Sequence, residues 1–370
     1  MKEFFPGIPM VLYEGSYSTN PFAFHFYEPE RIVAGKPMRE YLQFVLPLHK
    51  LLAFVGAQIA AKQPAQKEAL HACMELMHKL GLTYFSLSDA SLTRVGGSLR
   101  ENNGILDEML QLLFILQSGY HALPMVFTAD LTSDPRYVRG AATSPSADVF
   151  ALAAAQTKKA VECAARIGAR YFCLDIANDL AKQNTRDTMC VNQTLENRTL
   201  AAMLSLLENH AKAIGFNGRL ALQTQQIAGA ARYTTLRNAP GDRLTMQKMT
   251  LSMLDLLHSP ENTHGGIALE VSQKKAHTPE DLCVALILYM DRCALGLLLA
   301  NRLRLDGRLE QFTRERYCSY EYGTGKSILD GTTNFDALEL YVMQKNDIPA
   351  PICRDDYLES VLFSLIHRGN

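Results

Sequence analysis

The chain alternates short apolar runs with longer stretches of helical hydrophobic periodicity. Runs that are bounded by polar or turn residues and rich in β-branched and aromatic side chains predict buried strands. Helical periodicity follows most of these runs, as at residues 68–80 and 195–214, each of which ends before a glycine. Repeated strand–helix alternation predicts a parallel sheet with helices packed on its outside. The six predicted strands are residues 41–46, 84–87, 124–128, 171–174, 219–222 and 266–271.

A well-marked helix start follows the sixth strand. Thr278 suits the N-cap, Pro279 suits the first helical position, and the two acidic residues that come next favour the positive end of the helix dipole. The apolar stretch 282–300 continues this helix. Because Asp291 and Arg292 lie in its middle, we expect a buried helix and not a membrane span.

Composition narrows the functional classes. The chain has 370 residues, 48% apolar and 20% charged, which is an ordinary balance for a globular protein. A net charge of −1 gives no electrostatic reason to expect nucleic acid or an anionic membrane as a partner. The first residues lack the apolar run of a signal peptide, and the eight cysteines form no CxxC pair. We therefore expect free thiols and a cytoplasmic protein.

The pattern alone leaves two architectures open. Six strand–helix units are compatible with an open sheet and with a barrel, although six strands would not close with the geometry of eight. From about residue 306 onward, helical pieces alternate with Gly, Pro and Asn turns. This change predicts an α/β domain over residues 1–305, followed by an extended helical tail over residues 306–370.

Long motifs across the chain are similar to segments of one enzyme family. Residues 4–44 read FFPGIPMVLYEGSYSTNPFAFHFYEPERIVAGKPMREYLQF, and residues 99–109 read LRENNGILDEM. Further matches lie at residues 134–160, 314–344 and 355–362. These motifs resemble the xylose isomerases of the longer class. The resemblance implies a barrel of the TIM (β/α) type, shortened here to about six units. It also implies an oligomer, a dimer or a tetramer, held together by the C-terminal tail.

The resemblance fails at the strand ends, where that family performs its aldose–ketose chemistry. There the second strand ends in His-Asp-x-Asp, and this chain has Ser88 and Ser91 in place of the His and the last Asp. A serine hydroxyl without a partner base cannot act as an acid–base group near neutral pH. At the fifth strand, Gln223 and Gln225 replace a metal-bridging Glu and a catalytic Lys. Thr128 is one pocket position that still matches.

The metal ligands of the family are also depleted. Family members hold two divalent cations, such as Mg²⁺, Mn²⁺ or Co²⁺, largely with carboxylates. The resemblance implies that about two strand–helix units, with several of these ligands, are missing after residue 226. Asp242 and Glu270 are the residual candidates. We therefore expect no cofactor, and a divalent metal only if activity is retained.

These departures predict a catalytically inactive family member with a structural, partner-binding or sugar-sensing role. Its expected partners are further copies of itself or an active isomerase. One alternative is a repurposed enzyme with a remodelled site that draws on Asp175, Asp179, Glu270 and His49. The plainer interpretation of these groups is a solvated loop for the two aspartates and a partly buried side chain for the histidine. The other alternative is a genuine xylose isomerase whose metal ligands are misaligned.

Overall fold

The computed structural model describes residues 3–59, 66–93, 98–181, 192–223, 243–258, 266–269, 271, 277–345, 347–351 and 353–367. An N-terminal segment with four two-residue strands comes first, and these strands form two small ladders outside the main sheet. They are β1 (Leu12–Tyr13), β2 (Ala23–Phe24), β3 (Ile32–Val33) and β4 (Lys36–Pro37).

The main sheet has six strands, and every neighbouring pair in it is parallel. Each strand matches one of the six predicted from the hydrophobic pattern. The strands are β5 (Phe44–Pro47), β6 (Tyr84–Ser88), β7 (Leu123–Asp130), β8 (Tyr171–Asp175), β9 (Arg219–Gln223) and β10 (Ile267–Ala268).

Helices separate the strands as the alternation predicted, and the two helices singled out above begin and end within two residues of their predicted positions. The helices are α1 (Met38–Tyr41), α2 (Leu48–Ile59), α3 (Gln66–Lys79), α4 (Leu99–Tyr120), α5 (Ala147–Ile167), α6 (Ala177–Ala181), α7 (Gln193–Ala213), α8 (Arg243–His258), α9 (Pro279–Asp306), α10 (Arg308–Tyr317), α11 (Gly323–Leu329), α12 (Phe335–Met343) and α13 (Arg354–His367).

The two faces of the sheet pack differently. Phe85, Phe127 and Phe172 alternate with inward-facing residues along β6, β7 and β8, and all three are fully buried in the core under the helices. The opposite, concave face carries a much smaller apolar cluster, which includes Val45 and Cys173. The structure therefore gains most of its apolar burial between the sheet and its outer helices.

The strand order decides the architecture. It runs β10-β5-β6-β7-β8-β9, so the last strand pairs with the first, and β9 and β10 form the two edges of the described sheet. In an eight-stranded (β/α) barrel the last strand also lies beside the first. The sheet is thus an incomplete (β/α) barrel of six units, and the missing units belong between β9 and β10.

Helix α9 is the apolar helix expected after the sixth strand. Its N-terminus has the full capping box, because the Thr278 hydroxyl accepts from the Asp281 amide and the Asp281 carboxylate accepts from the Thr278 amide. Among the described residues it is the one helix long and apolar enough to cross a membrane. However, 61% of its most apolar 18-residue stretch is buried inside the structure, as in a core helix.

A buried carboxylate on α9 fixes the N-terminal segment. Asp291 is 4% exposed and accepts hydrogen bonds from the backbone amides of His25, Phe26 and Tyr27, at 2.8 to 2.9 Å. The His25 ring lies 3.1 Å from the same carboxylate. A charged group in the middle of this apolar helix is therefore explained by a structural contact between residues far apart in sequence.

The tail is anchored near its two ends and exposed between them. Phe312 of α10 stacks on Tyr357 of α13 with ring centroids 3.8 Å apart, and Val361 of α13 joins a buried cluster with residues of α9. No described residue from 317 to 353 is buried. Several large apolar side chains are therefore in water in the single chain: Tyr322, Leu329, Phe335, Leu340, Met343 and Ile348.

Replacing the carboxylate on α9 should be costly. Asp291→Ala leaves three backbone amides without their acceptor, and we expect the free energy of unfolding to fall by about 3 kcal/mol or more. Urea denaturation followed by circular dichroism measures this loss. Asp347→Ala, at an exposed loop residue, is the matched control and should stay within about 0.5 kcal/mol of the native protein. Equal losses in both variants would contradict the role given to Asp291.

Candidate functional site

The strand ends that the sequence singled out lie together at the carboxyl edge of the sheet. Ser88 of β6 is the register partner of Thr128 of β7, so these two predicted positions are neighbours. One step further along, Asp130 of β7 pairs with Asp175 of β8, which in turn pairs with Gln223 of β9. This edge is where enzymes built on (β/α) barrels place their active sites.

The two serines at the end of β6 belong to a local turn. Residues Asp89–Ser91 form a 3₁₀ turn, and the Ser91 hydroxyl donates to the Ser88 carbonyl oxygen at 2.6 Å. The Ser88 side chain makes no capping hydrogen bond to this turn. No base that could activate the Ser88 hydroxyl is hydrogen-bonded to it among the described residues. The pair therefore closes a turn and supplies no acid–base dyad.

Between the serines lies a carboxylate that the sequence interpretation missed. Asp89 is 4% exposed and accepts from the Asp130 amide at 2.9 Å and from the Gln156 side chain at 2.8 Å. Gln156 also donates to the Asp130 carbonyl and accepts from the Tyr137 hydroxyl. Asp89 thus joins the ends of β6 and β7 to α5. Burial raises the pKa of Asp89 to about 6, although its three hydrogen bonds oppose the shift.

Asp130 is a second carboxylate that organises its own loop. Burial acts to raise its pKa, but hydrogen bonds from Ser133 and Thr132 outweigh this effect and leave the pKa below its usual value. The Thr132 amide and hydroxyl donate at 2.9 and 2.7 Å. Asp130 therefore remains ionised near neutral pH, and its oxygens are largely occupied by the turn that follows β7.

The structure gives the proposed pair of Asp175 and Asp179 different environments. Asp179 is 2% exposed and accepts from the amides of Ala141 and Thr143 and from the Thr143 hydroxyl. It is neither a solvated loop residue nor a free acid–base group, because its oxygens hold the loop before α5. Asp175 is only partly buried, and burial raises its pKa. Of the two, Asp175 alone remains available at the mouth.

His49 lies at the start of α2, immediately after β5. The expectation of a partly buried side chain is wrong, since the residue is exposed. Desolvation by the surrounding protein, and after it the positive charge of Lys50, lowers the pKa of His49 to about 4. Its exposure to water limits the desolvation behind this shift. The imidazole is therefore neutral near pH 7.

The remaining predicted positions lie outside what the structure describes. Gln225, Asp242 and Glu270 are not among the described residues, and for Gln223 the backbone alone is described. Within the described residues, no group of three or more His, Cys, Asp or Glu side chains could hold a metal ion. Asp89 and Asp179 are saturated by protein donors, and Gln223 offers a neutral amide. The described residues therefore do not fit a pair of divalent cations.

Comparison with known proteins identifies the relatives. The model of the XylA2 C-terminal domain matches residues 313–366. The xylose isomerase of Thermotoga maritima is 30% identical over an alignment that covers 99% of this chain and 98% of that protein. The chain belongs to the xylose isomerase family. The xylose isomerase of Caldanaerobacter subterraneus subsp. yonseiensis is 29% identical, with 97% of this chain and 98% of that protein covered.

Two solved structures are also similar in part. One is a putative xylose isomerase from Rhodospirillum rubrum, with a TM-score of 0.36 and 12% identity over 60% of this chain and 70% of the other. The other is the D-psicose 3-epimerase of Clostridium cellulolyticum, with a TM-score of 0.38 and 11% identity over 61% of this chain and 93% of the other.

The alignment with the Thermotoga maritima xylose isomerase agrees with the strand order. It spans 440 positions, whereas this chain has 370 residues, so at least 70 positions lack a counterpart here. A strand–helix–strand unit takes about 30 residues or more. Two missing strand–helix units are therefore of the right length, which fits the place left open between β9 and β10.

The raised pKa of Asp89 has a measurable consequence. A carboxyl group whose pKa is higher in the folded than in the unfolded protein stabilises the fold below its unfolded pKa, and this contribution disappears as the pH rises through the folded value. Relative to Asp89→Asn, the native protein should lose roughly 2–3 kcal/mol of unfolding free energy between pH 4 and pH 7. Parallel urea titrations at several pH values measure the difference. A difference that does not change with pH would contradict a titrating, buried Asp89.

Proposed function

We propose that this member of the xylose isomerase family does not interconvert aldoses and ketoses, and that it serves as a structural, partner-binding or sugar-sensing subunit. The observation that carries the proposal is the strand order, in which β10 pairs with β5 while two strand–helix units are missing beside it. The catalytic edge of a barrel is formed by all of its strand ends. A gap of two units removes part of that edge together with its side chains.

The groups at the described strand ends support the same proposal. Ring opening needs a positioned acid–base group, and the hydride shift in this family depends on cations that polarise the sugar oxygens. Ser88 offers a hydroxyl without a hydrogen-bonded base, and Ser91 is committed to its turn. The carboxylates Asp89 and Asp179 hold loops in place. These residues stabilise the rim of the sheet, which is compatible with binding but poor in catalytic groups.

The tail supports a role in assembly. Residues 313–366 match the C-terminal domain model, and the stretch in which no described residue is buried lies inside this range. When another surface covers large apolar side chains in such a stretch and removes them from water, the free energy of the assembly falls. We infer that copies of this chain form a dimer or tetramer through the tail, with an active isomerase as the alternative partner.

A repurposed enzyme is the second candidate function. It is favoured by two groups at the carboxyl edge whose pKa values are shifted, Asp175 upward and His49 downward. Because Asp179 holds a loop, any remodelled site is reduced to His49 and Asp175 among the described candidates. The partly buried carboxyl group of Asp175, with its raised pKa, and the neutral imidazole of His49 are groups that can exchange protons with a substrate. This function requires a metal only if the isomerase chemistry persists.

An activity assay tests the first proposal. With xylose and added Mg²⁺, Mn²⁺ or Co²⁺, we expect no turnover approaching the ordinary enzymatic range of about 1–10³ s⁻¹. The Thermotoga maritima xylose isomerase, measured in the same coupled assay, is the positive control. Turnover in the ordinary range, or two tightly bound divalent ions per purified chain, would contradict the proposal. Activity on another sugar that is lost in both His49→Gln and Asp175→Asn would favour the repurposed enzyme.

A charge placed in the tail tests the assembly. Phe335 is 91% exposed and Met343 is 72% exposed. The double variant Phe335→Glu/Met343→Glu should lower the subunit count measured by light scattering after size exclusion, because it puts charges where we expect an apolar contact. Phe114→Glu, at an exposed apolar residue of α4, is the matched control and should assemble as the native protein does. An unchanged subunit count in the double variant would contradict assembly through α12.

A further inference from the structure

A second open space lies at the amino-terminal end of the sheet, opposite the edge described above. A cavity of about 480 Å³ is bordered by Gln43, which precedes β5, and by Tyr171 and Arg219, which begin β8 and β9. Strands β6 and β7 separate β5 from β8, so a space that touches both lies below the concave face. In a complete barrel this region is filled by layers of side chains from all strands. The described six-stranded sheet supplies only part of such a filling.

Among the described residues, the charges around this cavity are of one sign. The charged residues that line it in this part of the chain are Arg170 and Arg219, both exposed, and no described aspartate or glutamate lines it. Neither arginine forms an ion pair with a carboxylate of the described residues. Both guanidinium groups always carry their charge. Because no described carboxylate pairs with them, these positive charges at one cavity attract solvent dipoles or a bound anion.

Hydrogen bonds fix the backbone of both arginines in place. The Arg219 amide donates to the Arg170 carbonyl at 2.8 Å, and the Arg170 amide donates to the Pro124 carbonyl at 3.3 Å. The loop between α7 and β9 presses against β8 so closely that a Cβ atom at Gly218 would lie 2.7 and 2.8 Å from the carbonyl oxygens of Ala169 and Arg170. The two strand starts are therefore held together, and both arginine side chains begin from fixed positions at this end of the sheet.

One guanidinium is also oriented by an aromatic side chain. Arg170 lies over the Tyr84 ring, with its central carbon 4.8 Å from the ring centroid, and donates to the Tyr84 hydroxyl at 3.1 Å. This contact uses one face of the guanidinium and one of its donors. The remaining donors, together with those of Arg219, are enough for the paired hydrogen bonds that guanidinium groups make with phosphate oxygens.

An opposing effect comes from the helices. Helix α5 and helix α7 both end at the cavity, and a helix C-terminus carries about half a negative charge. Their terminal carbonyls are already occupied, because Gly168 donates to the carbonyls of Ala164 and Ala165, and Phe216 donates to that of Ala211. The two full positive charges of Arg170 and Arg219 exceed the two partial negative charges of the helix C-termini, so the cavity keeps a net attraction for anions.

We propose that this cavity binds the phosphate group of a small phosphate monoester through Arg170 and Arg219. A tetrahedral phosphate can accept hydrogen bonds from both guanidinium groups at once, and a volume of about 480 Å³ leaves room for the organic part of the ester. Tyr171 and Phe216 provide aromatic walls, and the amides of Gln43 and Asn217 provide neutral hydrogen-bonding groups. The site is independent of isomerase activity, since it lies at the opposite end of the strands.

Calorimetric titration of the full chain at low ionic strength tests this site, with inorganic phosphate and phenyl phosphate as probes. We expect saturable binding of both probes by about 10 mM, with phenyl phosphate at least as tight as inorganic phosphate. Arg219→Gln should weaken both affinities at least about tenfold, because it removes charge-assisted hydrogen bonds. Arg219→Lys keeps the charge but loses the paired donors, so its affinity should fall between those two proteins.

Arg198→Gln is the matched control, because it removes the same charge from an exposed position near the other end of α7. Its affinities should stay within about twofold of the native values. Equal weakening in Arg198→Gln and Arg219→Gln would overturn the proposal, because it would show attraction to net charge alone. Absence of saturable binding to the folded native protein would overturn it as well. Phenyl phosphate that binds more weakly than inorganic phosphate would overturn the assignment to an ester.

Discussion

The fold depends on the parallel pairing of β10 with β5, the last and the first strands of the main sheet. The Ile267 amide donates to the Gln43 carbonyl at 2.8 Å, and the Leu269 amide donates to the Val45 carbonyl at 2.9 Å. Gly266 makes this approach possible, because a Cβ atom there would lie 2.6 Å from the Gln43 oxygen. With β10 held against β5, the positions left by the missing units fall on the far side of β9. The same pairing brings α9 next to the N-terminal segment, which Asp291 then fixes.

The acidic residues at the carboxyl edge show how this rim is stabilised without the rest of the barrel. Asp89 joins β6, β7 and α5, Asp130 closes the turn after β7, and Asp179 holds the loop before α5. In each case a carboxylate accepts hydrogen bonds from backbone amides, and for Asp179 these amides are buried. Carboxylates used in this way have few free lone pairs, so these three side chains give order to the rim and are poorly placed to ligate a metal.

The sequence predicted what local pattern controls and missed what long-range contacts control. The six strands and the capping box at Thr278 follow from side chains within a few residues of one another. The role of Asp179 depends on amides 36 and 38 residues away, and that of Asp291 on amides more than 260 residues away. No periodicity encodes such contacts. The last strand has two described residues against the six predicted, and Glu270, which falls within the predicted run, lies outside the described residues.

A difference between the two faces of the sheet explains why a barrel can lose two units and keep its fold. The outer face is stabilised strand by strand, since β6, β7 and β8 each contribute one fully buried phenylalanine to the core under the helices, Phe85, Phe127 and Phe172 respectively. Removal of distant units leaves these contacts intact. The concave face depends on all strands together, because each layer of its filling takes side chains from around the barrel. The missing units therefore leave the helical layer unchanged and open both ends of the concave face. There, side chains such as Arg219 at one end and Asp175 at the other meet solvent where a complete barrel would have further side chains, so a new binding function can arise there without loss of the fold.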